Sequence, residues 1–170
     1  MTTYTVDTKK STIQWTGRKV MTTHTGTVAL VSGKFTVDEN KITGGLFEID
    51  MSTIVDNDQS GDMKAMLEKH LKSEDFFAVQ QFPKAVLRLI EGSIAGGKAA
   101  VTAQLTIKGK THNVSFDATI KQQHGIVADA TLSIDRSLWD VRYGSGKFFK
   151  GLGDKLISDD IEFTIHIVAV

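Results

Sequence analysis

The chain has 170 residues, with 20 Lys+Arg set against 20 Asp+Glu and no Cys. That is one domain's worth of chain, long enough to bury a core without staples. The balanced charge argues against a dedicated nucleic-acid or anionic-membrane protein, without excluding a local basic patch, and the missing Cys excludes disulfides, thiolate metal sites and Cys nucleophiles.

In chain order, Met1 to Lys10 holds no apolar stretch of the kind a secretory signal needs. The expected setting is therefore cytoplasmic, or periplasmic if a leader has been removed. No apolar run, Val28 to Val31 included, approaches the ~18 residues of a membrane span. Period-two alternation then begins with Ile13 and Trp15, and resumes at Phe35 and Val37 and at Phe47, Ile49 and Met51. Between Asp58 and Ser73 the period changes: Met63, Met66, Leu67 and Leu71 recur at helical spacing, with Ser60 or Asp62 as the expected cap. Phe76, Phe77, Phe82 and Pro83 follow, so residues 58–83 read as a helix and aromatic loop, inserted between strands as a lid.

Alternation returns at Leu87 and Leu89, with Val86, Arg88 and Ile90 opposite. It is clearest in Ala99, Val101, Ala103, Leu105 and Ile107. Val114, Phe116, Ala118 and Ile120 repeat it, as do Ala128, Ala130, Leu132 and Ile134, and finally Ile161, Phe163, Ile165, Ile167 and Ala169. Each is the signature of a strand with one buried face. The expected turns are Asp38 to Lys41, Glu91-Gly92-Ser93, Gly96-Gly97, Lys108-Gly109-Lys110 and His124-Gly125. Strands joined this tightly pair antiparallel. About eight of them, in a single domain over 1–170, should close as a barrel or stack as a sandwich.

Motif readings are mostly negative. Asp56 to Gly61 resembles the start of a calcium loop, but Leu67 stands where the bidentate Glu belongs, so it reads as a solvated strand-to-helix loop. Gly144-Ser145-Gly146-Lys147 resembles a phosphate loop, yet Val141 and Phe148 occupy two required positions. No pair among His24, His70, His112, His124 and His166 has the spacing of a helical or strand metal site, and no metal is expected. Nucleophile, base and orienter do not emerge together, so no catalytic residue is named. Asp135-Arg136-Ser137-Leu138-Trp139, with Arg142, Lys147, Lys150 and Lys155 nearby, reads in two ways. One is a cationic rim for a polar or anionic head group. The other is a barrel-closing Arg bonded to backbone carbonyls, with Trp139 filling the end.

Short motifs run in order along nearly the whole chain: Tyr4-x-Val6-Asp7, Ser11-x-Ile13-x-Trp15, Gly33-Lys34-Phe35, Gly44 to Met51, Leu67-x-x-x-Leu71-Lys72-Ser73-x-Asp75-Phe76-Phe77, Phe82-Pro83-x-Ala85, Leu105 to Gly109 and Ile134-Asp135-Arg136-x-x-Trp139. Each is weak alone, and together they resemble the YceI-like domain, a bacterial lipid-binding family. The resemblance implies an eight-stranded antiparallel lipocalin-like barrel around an apolar tunnel. It also implies an isoprenoid ligand, such as a polyprenyl phosphate or quinone, or a fatty-acid-like amide. No cofactor is required by that reading.

The inward Ala99, Ala103, Ala118, Ala128 and Ala130 agree with it, because small wall residues leave volume for a long apolar ligand. Met63, Met66, Leu67, Leu71, Phe76 and Phe77 are expected to guard one mouth, and Arg136, Trp139, His112 and Lys147 to mark the head-group end. Two other readings stand beside lipid binding. One is a stress-response or protein-interaction module with an incidental cavity, dimerising through the edge of the strand that ends near Val170. The other is an enzyme acting on a lipid or small molecule.

Overall fold

The computed structural model describes residues 1–170. Its strands are β1 (Thr2–Thr5), β2 (Thr12–Lys19), β3 (Thr22–Asp38), β4 (Lys41–Asp56), β5 (Lys84–Ala95), β6 (Lys98–Ile107), β7 (Lys110–Gln122), β8 (Ile126–Asp135) and β9 (Ile157–Ala169), with the helix α1 (Gly61–Lys72) between β4 and β5. All pairings are antiparallel, in the order β3-β2-β9-β8-β7-β6-β5-β4, and β4 returns to β3. The result is the closed eight-stranded barrel of lipocalin type.

The ninth strand is half of a split stave. β1 pairs with Lys34 to Val37 of β3, while β2 pairs with Thr22 to Val28 of the same strand. The break has a local cause. The Asp7 carboxylate accepts from the Lys9 and Lys10 N–H groups and folds the chain outward. The Ser11 hydroxyl then donates to the Asp7 carbonyl at 2.7 Å and accepts from the Val168 N–H at 3.0 Å, returning the chain to the wall. Val6 bridges Ala169, and Thr5 and Val170 exchange both backbone bonds. β9 therefore has a neighbour on both sides, β2 and β8, and the free strand edge expected near Val170 does not exist.

Alternation becomes inside and outside as expected. Ala99, Val101, Ala103, Leu105 and Ile107 are all buried, while Ala100 is exposed and Thr102, Gln104 and Thr106 are half-buried between them. The strands turn at Glu39-Asn40, Gly96-Gly97, Lys108-Gly109 and His124-Gly125. Gly125 has φ +135°, and a Cβ there would sit 2.1 Å from the Ala169 carbonyl oxygen. One expected turn is overturned: Glu91-Gly92-Ser93 lies inside β5. Gly92 marks a close approach, because a Cβ would meet the Ala100 carbonyl oxygen and Ile42 Cδ1 at 3.1 Å each.

α1 starts from Ser60, which takes the expected N-cap position in extended conformation but makes no side-chain capping bond; Asp62 sits in the first turn, where its charge suits the helix dipole. None of its residues is fully buried. Leu67 and Leu71 pack against the core, whereas Met63 and Met66 are 63% and 67% exposed on the outer face. Behind the helix, Phe76, Phe77, Ala78 and Val79 are buried.

Candidate functional site

The barrel is hollow. A cavity of about 760 Å³ lies within it, bordered by 44 residues of which 35 are hydrophobic. That volume is in the range of small-molecule sites, about 300–1,000 Å³. Small side chains make the room: Ala99, Ala118, Ala128 and Ala130 all line it, and Ala118 and Ala130 face each other across β7 and β8. Ala103 is fully buried in the wall without reaching the lining.

Two strand connections cover one end. Leu67, His70 and Leu71 of α1 border the cavity together with Phe76, Phe77 and Tyr143. The His70 ring stands edge-on to Phe76 at 4.9 Å and to Tyr143 at 4.5 Å, joining the connections. The exposed lining residues, Arg18, Lys19, Tyr143, Phe149 and Lys155, all lie at this same end. They mark the mouth. Lys19 and Ile157, which opens β9, are paired across the wall there.

The residues expected at the site divide. Leu67, Leu71, Phe76, Phe77, Ala118, Ala130 and Arg136 border the cavity, while Met63, Met66, Ala103, His112, Trp139 and Lys147 do not. Trp139 is 2% exposed, and its indole Nε1–H donates to the Leu105 carbonyl at 2.9 Å. The His112 ring lies edge-on to Trp139 at 5.1 Å, with Nε2 2.8 Å from the Leu138 carbonyl oxygen. Lys147 pairs with Asp135 on the outer surface, and that hydrogen bond holds the Lys147 ammonium above its usual value. Burial raises the Asp135 carboxyl, but hydrogen bonds from Lys147 and Ser137 outweigh it and hold the group below the usual carboxylate range.

Arg136 is spent on the frame. Its Nε donates to the Ser158 carbonyl at 3.0 Å, one terminal nitrogen to Val141 at 2.7 Å and the other to Ile157 at 3.1 Å. The guanidinium thus ties the loop after β8 to the start of β9. Burial pulls it below its ordinary value, and the charges of Asp159 and Asp135 oppose that pull. Arg18, Lys19 and His24 line the cavity and escape a sequence reading, because strand pairing sets Lys19 against Ile157 and His24 against Gly17. The available signal was a hairpin tip, Arg18 to Met21, with two cations beside two apolar residues.

The loop after β4 is less solvated than its composition suggests. Asp56 is fully buried and accepts from Gln59 Nε2 at 2.8 Å and the Asp58 N–H at 3.2 Å. Its own carbonyl accepts from Lys64 Nζ at 2.7 Å, pegging α1 to the barrel. Asp58 accepts from the Thr25 N–H at 2.9 Å and lies 2.8 Å from His24 Nδ1. Burial raises the Asp58 carboxyl, but hydrogen bonds with Asp56, His24 and Thr25 bring it down to about 2. The ligand-type atoms of His24, Asp56 and Asp58 lie within 4.8 Å of one another. Protein donors already engage their oxygens, and the group reads as the peg of the helix.

A family model described as YceI-like domain matches residues 4–169. Among solved structures, BcnA of Burkholderia cenocepacia superposes with a TM-score of 0.79 at 25% identity, covering 97% of this chain and 99% of that one. A polyisoprenoid binding domain from Saccharophagus degradans, implicated in plant cell wall breakdown, superposes with a TM-score of 0.74 at 13% identity, covering 98% and 97%. A Campylobacter jejuni YCEI protein gives 0.61 at 20% identity, covering 84% and 82%. No curated protein matches the sequence.

Proposed function

We propose that this chain, which belongs to the YceI-like domain family, holds one long-chain amphiphilic lipid of the isoprenoid class, such as a prenyl quinone or a polyprenyl phosphate, and carries it chemically unchanged. The observation that carries the reading is the hollow apolar interior, with 35 hydrophobic residues among the 44 that border it. The Saccharophagus neighbour, described as binding polyisoprenoids, supports the same class. The tail lies along the Ala-lined wall, where burying ~300 Å² of hydrocarbon at about 25 cal/mol per Å² yields about 7 kcal/mol, less the cost of ordering the chain. The head group stays at the mouth, beside Arg18, Lys19 and Lys155. No cofactor takes part.

Native mass spectrometry after gentle purification should reveal one copurifying lipid per chain. Delipidated protein should take up a prenyl quinone, and Ala130→Trp, which fills the tunnel from its wall, should abolish uptake while the fold persists by circular dichroism. Absence of a copurifying lipid together with no uptake of either prenyl quinone or prenyl phosphate would overturn the reading.

A further inference from the structure

The mouth end carries a surface that tunnel binding does not explain. Val20 and Met21, at the tip between β2 and β3, are 53% and 87% exposed. Phe148, Phe149 and Leu156, in the connection before β9, are 44%, 49% and 38% exposed. The two segments are neighbours, because Lys19 pairs with Ile157 across the β2–β9 seam. A Cβ on Gly146 would meet Leu156 Cδ1 at 3.1 Å, so the connection folds back on itself there. Arg142 covers the outer face of Phe148 at 4.5 Å.

Charge is just as uneven. Arg18, Lys19, Lys150 and Lys155 flank these apolar residues, and none of the four is in an ion pair. Within 18–21 and 147–156 the one acidic residue is Asp154. The whole chain is neutral, whereas these two segments carry a local cationic excess. Exposed aromatic and Met side chains ringed by free Lys and Arg suit the headgroup boundary of an anionic bilayer, where the apolar groups enter and the cations meet lipid phosphate. The outer face of β6 is unlike this, with Thr102, Gln104 and Thr106 turned outward.

We propose that the mouth end docks on the surface of an anionic bilayer, through Val20 and Met21 on one side and Phe148 and Leu156 on the other, with Arg18, Lys19, Lys150 and Lys155 supplying the attraction. Docking turns the tunnel mouth toward the membrane, so a lipid passes between bilayer and barrel without crossing water. The inference rests on the lipid-binding reading for its purpose, yet vesicle binding is measured apart from tunnel loading.

The test is flotation of the full chain with vesicles that contain no isoprenoid. Phosphatidylcholine vesicles are compared with vesicles of 70% phosphatidylcholine and 30% phosphatidylglycerol. At least tenfold stronger partition onto the anionic vesicles is expected, falling steeply at high salt. Met21→Ser with Phe148→Ser should reduce that partition about tenfold, as should Lys150→Glu, and none of these positions borders the tunnel. Ala130→Trp should float like the wild type even though it takes up no quinone, which separates failure of docking from failure of lipid binding. Equal partition onto both vesicle types, no partition, or full partition by the Met21/Phe148 variant would overturn the proposal. So would an equal loss from Lys98→Glu with Lys121→Glu, at the far end of the barrel.

Discussion

At one end of the barrel the strands return through tight turns, at Glu39-Asn40, Gly96-Gly97 and His124-Gly125, and hydrogen bonds do the closing. At the other end two long connections, residues 57–83 and 136–156, lie over the opening. There the closing is done by side chains: Arg136 on three carbonyls, Lys64 of α1 on the Asp56 carbonyl, and His70 between Phe76 and Tyr143. The difference is one of replaceability. A backbone turn opens only by unpairing strands, whereas a side-chain cover opens by moving a loop, leaving the wall intact. The same contrast separates exposed chemistry, since the exposed aromatics Tyr143, Phe148 and Phe149 gather at the side-chain-closed end.

Substitutions can break this contrast from either side. The largest effect is expected for Arg136→Met, which leaves the carbonyls of Val141, Ile157 and Ser158 without their donor. It should cost about 4 kcal/mol in urea denaturation, and a loss under about 1 kcal/mol would mean the guanidinium is not what holds the mouth. At the far end, Gly125→Ala forces a Cβ against the Ala169 carbonyl in a left-handed backbone. A cost of about 2–3 kcal/mol is expected, with prenyl-quinone uptake unchanged in the folded fraction. Reduced uptake at equal folding would show that the far end also shapes the ligand.

The smallest effect is expected at Asp58. Its pKa is depressed from 3.8 to about 2 in the folded chain, so its contribution is fully present above about pH 4 and is lost as pH falls toward 2. With 29% of the side chain exposed, solvent screening reduces the contribution to about 1 kcal/mol. Comparing stability at pH 6 and pH 2.5 for the wild type and Asp58→Asn should show the drop shrink in the variant. An unchanged drop would place the acid sensitivity elsewhere.

What the sequence disclosed follows the same division. The wall was legible because period-two alternation is a local property: each inward residue of β6 could be named before any partner was known. The helix was legible in its spacing, but not in its facing, so Met63 and Met66 were expected at the mouth and lie on the outside. Gly92 reads as a turn in isolation and becomes a packing glycine only when Ala100 and Ile42 close on it. The cations were hardest. Arg136 and Lys147 stand out in a motif, yet one is consumed by carbonyls and the other by Asp135. Arg18 and Lys19 have no motif around them, and reach the mouth through pairing with the far end of the chain.

That pairing has a consequence for how the molecule is made. Every seam of the barrel but that of β2 with β9 joins strands consecutive in the chain, including β4 with β5 across the helix and β8 with β9 across residues 136–156. β2 against β9, continued by the Val6–Ala169 bridge and the Thr5–Val170 bonds, joins opposite ends of the chain. During synthesis β2 to β8 can assemble as a curled but open sheet, with the edges of β2 and β8 unpaired until residues 157–169 are available. Closure is then a late, long-range step of the kind that slows folding. Until it happens, a greasy trough stands exposed where the finished protein has a tunnel.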